Sequence, residues 1–398
     1  MPEKGTMAAS TDAGKGMLMN PYDLPNDEIE RLAQQHGTPL YVVSRSKIIA
    51  NYRRLDQLLP AVNLFYAIKA NPHEEILRTL AEIGAGFDVA SRGEILAAVG
   101  AGANPREDLI FADTIKDPKQ IAYAYSIGLD DFTFDNMSEI GQIARNAPGA
   151  NAHVRIAVSN RGSVAHLSEK FGARTEEAIP LLLAARDGGL NPRGISFHVG
   201  SQCLDPQRYV DALDLTRDLF DEAERRGIHL EMIDIGGGFP VRYGSEDINT
   251  EAICRTIANH YERLFGTDVK LVAEPGRGIV GDAVILVTRV ISESVRDGRK
   301  WLYFDDGTYG SFMEVLLYQM RFPLRTNTTG ALTSYVLAGP TCDSIDVFSR
   351  DGEGAICEIP LPEMHLDDLL IAGSMGAYTY SESTRFNGFE PPHFVYVD

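Results

Sequence analysis

Between Val62 and Ala273 the chain alternates eight short β-rich runs with amphipathic stretches, and this alternation constrains its fold more than any other feature. The runs are Val62–Ile68, Gly86–Ala90, Leu109–Ala112, Asp131–Phe134, Ala152–Val158, Gly194–Val199, Leu230–Ile235 and Lys270–Ala273. Most are separated by helical patterns, such as Glu74–Ile83, Arg92–Val99, Asp135–Arg145, Thr175–Arg186 and Gln207–Arg226. Apolar residues recur there at three- and four-residue spacing, which gathers them on one helical face. Strand–helix alternation implies a parallel sheet with right-handed crossovers. Eight such units match an α/β fold of the (β/α)8, TIM-like barrel type. An open doubly wound sheet is the rival.

After about Gly278 the texture changes. Val284–Ile291, Lys300–Phe304, Ser334–Ala338, Asp368–Ala372 and His393–Val397 read as strands, with one short helical possibility near Met313–Met320. This half reads as a mostly antiparallel C-terminal β domain. Leu40–Val43 precedes the first barrel strand and is expected to join that sheet. The expected organisation is a disordered leader over 1–26, a segment over 27–45 joining the β domain, a barrel over 46–278 and the β domain over 279–398. The leader is small and polar, and Met7, Met17 and Met19 leave the true start codon open.

The charge balance excludes partners more than it identifies them. Lys plus Arg is 37 and Asp plus Glu is 56, a net charge of −19. Nucleic-acid binding relies on cations that neutralise phosphates, and docking on an anionic membrane needs the same, so neither is expected. No stretch approaches the roughly 20 apolar residues of a membrane span. The cysteines, Cys203, Cys254, Cys342 and Cys357, form no CxxC pair. Disulfides and a metal site are therefore not expected, and a reducing cytoplasm fits.

A barrel places its active site at the C-terminal ends of its strands. Lys69 follows the first run in YAIKANP, Asp88 lies near the end of the second and Arg155 lies within the fifth. His198 ends the sixth in SFHVGSQ, Gly236, Gly237 and Gly238 follow the seventh, and Glu274, Pro275, Gly276 and Arg277 follow the eighth. Each has a bland reading. A lysine at a strand end is usually an exposed cation, and a lone histidine is usually a satisfied core residue. Three glycines can be a slack loop. Taken together they suit a polar ligand. A lysine between Ile68 and Ala70 is expected to have a depressed pKa, which favours a Schiff base. Glycine amides beside Arg277 suit a phosphate. Glu274 opposite a pyridine nitrogen would keep a strong electron sink protonated. These three features suggest pyridoxal phosphate.

The β half adds Tyr303-Phe304-Asp305-Asp306-Gly307 and Gly339-Pro340-Thr341-Cys342-Asp343-Ser344-Ile345-Asp346. Asp306 and Asp343 are plausible turn formers. As paired carboxylates they would instead grip a substrate ammonium. A lone cysteine is usually inert, yet Cys342 among acids would stay protonated and suit a proton donor.

With these motifs in hand, the chain resembles the fold-type III pyridoxal-phosphate decarboxylases over about Tyr41 to Val397. The resemblance is carried by YAIKANP, FDVAS, SEKFG, SFHVGSQ, IGGGFP, EPGR, YFDDGTYGSF, GPTCDSID and GAYT…FNGF. The ornithine/lysine branch is the nearest, because of GPTCDSID and FNGF; diaminopimelate decarboxylases typically carry CESGD at the former. The resemblance implies an alanine racemase-like barrel and α-decarboxylation of a basic L-amino acid, ornithine to putrescine first and lysine or a pathway-specific relative second. It implies that Lys69 carries the cofactor, His198 stacks on its ring and Glu274 binds its nitrogen. Asp88 and Arg155 would support them, and Ser201, Gly237, Gly238, Gly276, Arg277 and Tyr378 would hold the phosphate. Cys342 would protonate Cα. Asp306 and Asp343, with Asp305 as second choice to Asp306, would bind the side-chain ammonium, near Phe386. Lys170 and Asp346 would pair across a homodimer with shared active sites. Racemisation and a non-catalytic homologue are the competing readings. Glu274 opposes the first, and the complete set of cofactor ligands opposes the second.

Overall fold

The computed structural model describes residues 20–60, 62–164, 169–244 and 248–398. Eight strands form the barrel: β2 (Val62–Ala67), β3 (Gly86–Asp88), β4 (Leu109–Ile110), β5 (Asp131–Phe134), β6 (Asn151–Arg155), β7 (Asn191–Ser196), β8 (Met232–Asp234) and β9 (Lys270–Ala273). β1 (Leu40–Val43) precedes them. The barrel strands pair in the order β4-β3-β2-β9-β8-β7-β6-β5, all in parallel. A parallel bridge between Phe111 and Phe132 joins the two ends, so the sheet closes. The expected (β/α)8 barrel is therefore present, and the open-sheet rival is not.

Local chemistry sets where the helices start. Ser91, Asn136 and Asn249 each accept a hydrogen bond from the third residue onward, capping Arg92–Gly100, Met137–Asn146 and Thr250–Phe265. Asp117 caps Pro118–Ser126, whose first residue needs no donor partner. β7 starts earlier than the Gly194 expected from sequence, because Asn-Pro there reads as a turn. Pro192 is tolerated because the β6–β7 register shifts between Ala152 and His153.

The second sheet is built from β10 (Val284–Arg296), β11 (Arg299–Phe304), β12 (Leu324–Thr326), β13 (Leu332–Ala338), β14 (Ile359–Pro362), β15 (Leu369–Ala372) and β16 (His393–Tyr396). Their order is β12-β15-β10-β11-β13-β14, and β1 pairs with both β10 and β16. Most ladders are antiparallel, but β1–β16 and β11–β13 are parallel. Helix Asn26–His36 packs Ile29 and Leu32 against Leu40, Val42, Ile285 and Val287 of this sheet. Residues 1–19 of the expected leader lie outside the described residues. Its last part departs from the expectation: Pro21–Asp23 form a 3-10 helix and Leu24 is buried in the same apolar cluster.

Candidate active site

The barrel mouth gathers the residues that follow its strands. Lys69 sits in a 3-10 turn, Ile68–Ala70, directly after β2. Its Nζ lies 2.8 Å from Oδ2 of Asp88, the last residue of β3. Asp88 is buried, whereas the Lys69 side chain keeps 45% of its surface open. The expected depression of the Lys69 pKa is overturned. Burial alone would lower it, but the Asp88 and Glu274 carboxylates and Tyr378 outweigh burial and raise it above the ordinary lysine range.

Glu274 is buried beyond β9, and its Oε1 has no hydrogen-bond partner. Burial, then the nearby Asp234 and Asp88, push its carboxyl well above the usual range. Asp234 Oδ2 is likewise unpartnered, while its Oδ1 accepts the Gly236 N–H at 2.8 Å. The two acids share a buried site that favours one proton between them. An orphaned buried carboxyl oxygen of this kind is what a protonated ring nitrogen would satisfy.

His198 is held as a neutral ring. Burial, with Arg155 and Lys69 nearby, drives its pKa well below the ordinary value. Its Nδ1 accepts the Gly200 N–H at 2.9 Å, which places the ring proton on Nε2. Gly237 packs so closely that a Cβ there would lie 2.7 Å from the Glu274 carbonyl oxygen and 3.1 Å from His198 Nε2. Only glycine lets the backbone pass this close to the Glu274 main chain and the His198 ring.

Arg277 is buried and wired in place. Glu314 accepts two hydrogen bonds from it, at 2.9 and 2.5 Å, and Ser201 Oγ accepts a third at 3.2 Å. Tyr243 also contacts it, and the Tyr378 ring lies 4.7 Å away. Tyr378 has a φ of 58° and donates its N–H to the Ala70 carbonyl. Among the described residues, nothing accepts from the backbone N–H groups of Gly237, Gly238, Gly276 or Arg277. Four free amides beside a fixed guanidinium make a cradle for a phosphate. The orphaned Glu274 oxygen, the neutral His198 ring and this cradle fit pyridoxal phosphate.

Arg155, at the end of β6, lies 5.0 Å from the Phe171 ring, which the exposed Lys170 also caps at 4.8 Å.

The β-domain candidates form a second group. Asp306 is buried; its Oδ1 accepts the N–H groups of Gly307 and Ser311, and its Oδ2 accepts the Ser311 hydroxyl. That leaves Oδ2 one uncommitted lone pair. Burial pushes its pKa up to about 7. Asp305 lines the same cleft as Asp306, but Thr38, Thr288 and the Arg289 N–H occupy its oxygens and Arg289 pairs with it, which braces the β domain. Cys342 is exposed, and among the described residues no hydrogen bond or ion pair joins it or Asp343 to Lys69, Glu274 or Arg277. Asp346 is braced within its own chain. It is 2% exposed, and its oxygens accept hydrogen bonds from Thr308 and Thr341 of its own chain.

Sequence reasoning passed over Asp234, Tyr243, Tyr309, Glu314 and Asn387. Asp234 carried a signal as an acid inside the apolar run Leu230–Ile235, and Tyr309 and Asn387 lie inside the motifs YFDDGTYGSF and FNGF, which left their roles unassigned.

A closed parallel barrel whose mouth joins a strand-end lysine, a buried acid with an unpartnered oxygen and a glycine–arginine cradle suited to phosphate defines a pyridoxal-phosphate enzyme of the barrel type. Residues 45–281 match the family model described as pyridoxal-dependent decarboxylase, pyridoxal binding domain. The chain belongs to this family of decarboxylases. It is 41% identical to a lysine/ornithine decarboxylase from Selenomonas ruminantium, over 96% of this chain and 95% of that protein. It is 37% identical to mouse ornithine decarboxylase, over 90% of this chain and 80% of that one. A solved lysine decarboxylase from Selenomonas ruminantium superposes with a TM-score of 0.88 at 40% identity, covering 94% of this chain and 96% of the other.

Proposed function

We propose that this decarboxylase acts on a small L-diamino acid, L-ornithine first, giving putrescine and carbon dioxide. The observation that carries the reading is Asp306, a buried carboxylate with one lone pair left over, suited to a distal ammonium. L-lysine, giving cadaverine, is the second substrate, favoured by the 41% identity to a lysine/ornithine enzyme.

When bound, pyridoxal phosphate supplies a protonated ring that accepts the electron pair of the breaking Cα–carboxylate bond. Lys69 would hold it through Nζ, with Asp88 steadying that nitrogen. Glu274 would keep a proton at the ring nitrogen, and the neutral His198 ring would pack against the cofactor ring. Arg277, Ser201 and Tyr378 with the free glycine amides would anchor the phosphate. Cys342 would deliver a proton to Cα, and Asp306 and Asp343 would select the side-chain ammonium, with Phe386 close by.

Because no hydrogen bond or ion pair of the described residues joins Cys342 or Asp343 to Lys69 within one chain, the reading includes a homodimer in which one subunit completes the other's site. Lys170 and Asp346 would lie along that interface. Four free cysteines suit a reducing, cytoplasmic setting. Among the described residues no helix is long and apolar enough to cross a membrane. The test is to incubate the holoenzyme with L- and D-amino acids and identify the amines by mass. Diamines from L-ornithine and L-lysine are expected. Racemised amino acids, or no product from any diamino acid, would overturn the reading.

A further inference from the structure

Three chain segments that lie far apart in sequence are tied together where they display Cys342 and Asp343. The Asn387 side-chain oxygen accepts the Cys342 N–H at 3.0 Å. The Tyr309 hydroxyl donates to Asp343 Oδ2 at 2.6 Å. Phe386 stacks on the Tyr309 ring, with centroids 4.4 Å apart and planes 23° from parallel. Thr384 donates both its N–H and its hydroxyl to the Tyr309 carbonyl, at 2.8 and 3.0 Å. Beneath them, buried Asp346 accepts from Thr308 and Thr341, the residues preceding Tyr309 and Cys342. Asp306 and Phe386 line one small cleft together with Tyr309 and Thr341.

Two features show that this arrangement is built. Asn387 adopts a φ of 55°, a left-handed conformation that asparagine accepts more readily than most residues. That backbone setting brings its side chain to the Cys342 amide 45 residues away. The ordinary partner of a surface carboxylate is water, yet Asp343 takes a tyrosine hydroxyl and the N–H of Ile345. These bonds favour its ionised form, and the Tyr309 bond is the larger cause of its lowered pKa.

We infer that Asn387 and Tyr309 are positioning residues, Asn387 fixing the thiol of Cys342 for proton delivery and Tyr309 fixing the carboxylate of Asp343 for selection of the substrate's distal ammonium. The inference rests on the roles proposed above for Cys342 and Asp343. It divides the labour: Asn387 governs where the proton goes, and Tyr309 governs which side chain is accepted. Neither residue touches the reacting atoms in this account.

The division is testable with the holoenzyme. Tyr309→Phe keeps the stack on Phe386 and removes only the hydroxyl. It should raise KM for the preferred diamino acid about tenfold with kcat within about twofold, since a hydrogen bond to a charged group is worth roughly that factor. Calorimetric binding of the product diamine should weaken by a similar factor, while a monoamine of equal chain length binds unchanged. Asn387→Gly keeps the left-handed backbone and removes the acceptor. It should leave KM unchanged and lower the diamine formed per carbon dioxide released below one, because the proton intended for Cα is misplaced. Asn387→Asp restores the acceptor and should restore the ratio.

Equal losses of KM and kcat in both variants, or no change in either, would overturn the division. Cys342→Ala and Asp343→Ala serve as the reference pair. If they too leave product ratio and KM unchanged, the roles of those residues fail. If they change both while Asn387→Gly and Tyr309→Phe do not, only the positioning inference fails.

Discussion

Lys69 and Asp88 meet at 2.8 Å across the mouth of the barrel, joining the ends of two neighbouring strands, β2 and β3. Asp88 and Glu274 more than offset the partial desolvation of the lysine and stabilise its charged form. Capture of an aldehyde requires the neutral amine, so Asp88 should slow cofactor capture by the apoenzyme even as it steadies the lysine afterwards. Asp88→Asn should speed the appearance of the cofactor's visible absorbance band at pH 8 and steepen its dependence on pH less. A slower capture in the variant would show that Asp88 activates the lysine.

Arg277 and Glu314 form a buried pair, 4% and 1% exposed in their side chains. Removing one partner of such a pair costs about 3–5 kcal/mol, because the other charge is left uncompensated. Glu314→Gln should therefore lower the thermal midpoint of the apoenzyme. Pyridoxal phosphate should recover more stability in the variant than in the parent, since its phosphate supplies the missing negative charge. Thermal scans with and without the cofactor check both signs.

Asp306 carries a stability cost that depends on pH. Its pKa is raised to about 7 in the fold, against 3.8 when exposed. For an acid raised on folding, the protonated form favours the native state. Stability from this group is thus greatest below the unfolded value and is lost as pH rises towards the folded one. Asp306→Asn should raise the thermal midpoint at pH 8, and the gain should vanish near pH 4. The same variant should lose most of its kcat/KM for diamino acids. In the parent, kcat/KM should fall as pH drops below about 7, as the free enzyme's Asp306 takes up a proton.

Most of the barrel was legible because each strand is a short β-rich run, and Asp131–Phe134 and Lys270–Ala273 match the observed strands to the residue. The parallel pairings β1–β16 and β11–β13 were not legible, since they depend on register between distant segments. The site divides the same way. Lys69, His198 and Glu274 stand at strand ends and announce themselves by position. Glu314 and Asn387 do not, because their partners Arg277 and Cys342 are 37 and 45 residues away. The direction of the Lys69 shift was misread from its apolar neighbours Ile68 and Ala70. Two carboxylates brought in by β3 and β9 decide it, and sequence proximity carries no trace of them.

The central claim is that Lys69 at the end of β2 holds the cofactor. Borohydride reduction of the holoenzyme, followed by proteolysis and mass mapping, reads that bond directly. The account predicts a phosphopyridoxyl group on the peptide containing YAIKANP, at Lys69, and its loss in Lys69→Ala. A label on another lysine, such as the buried Lys116, or an unlabelled protein, would contradict it.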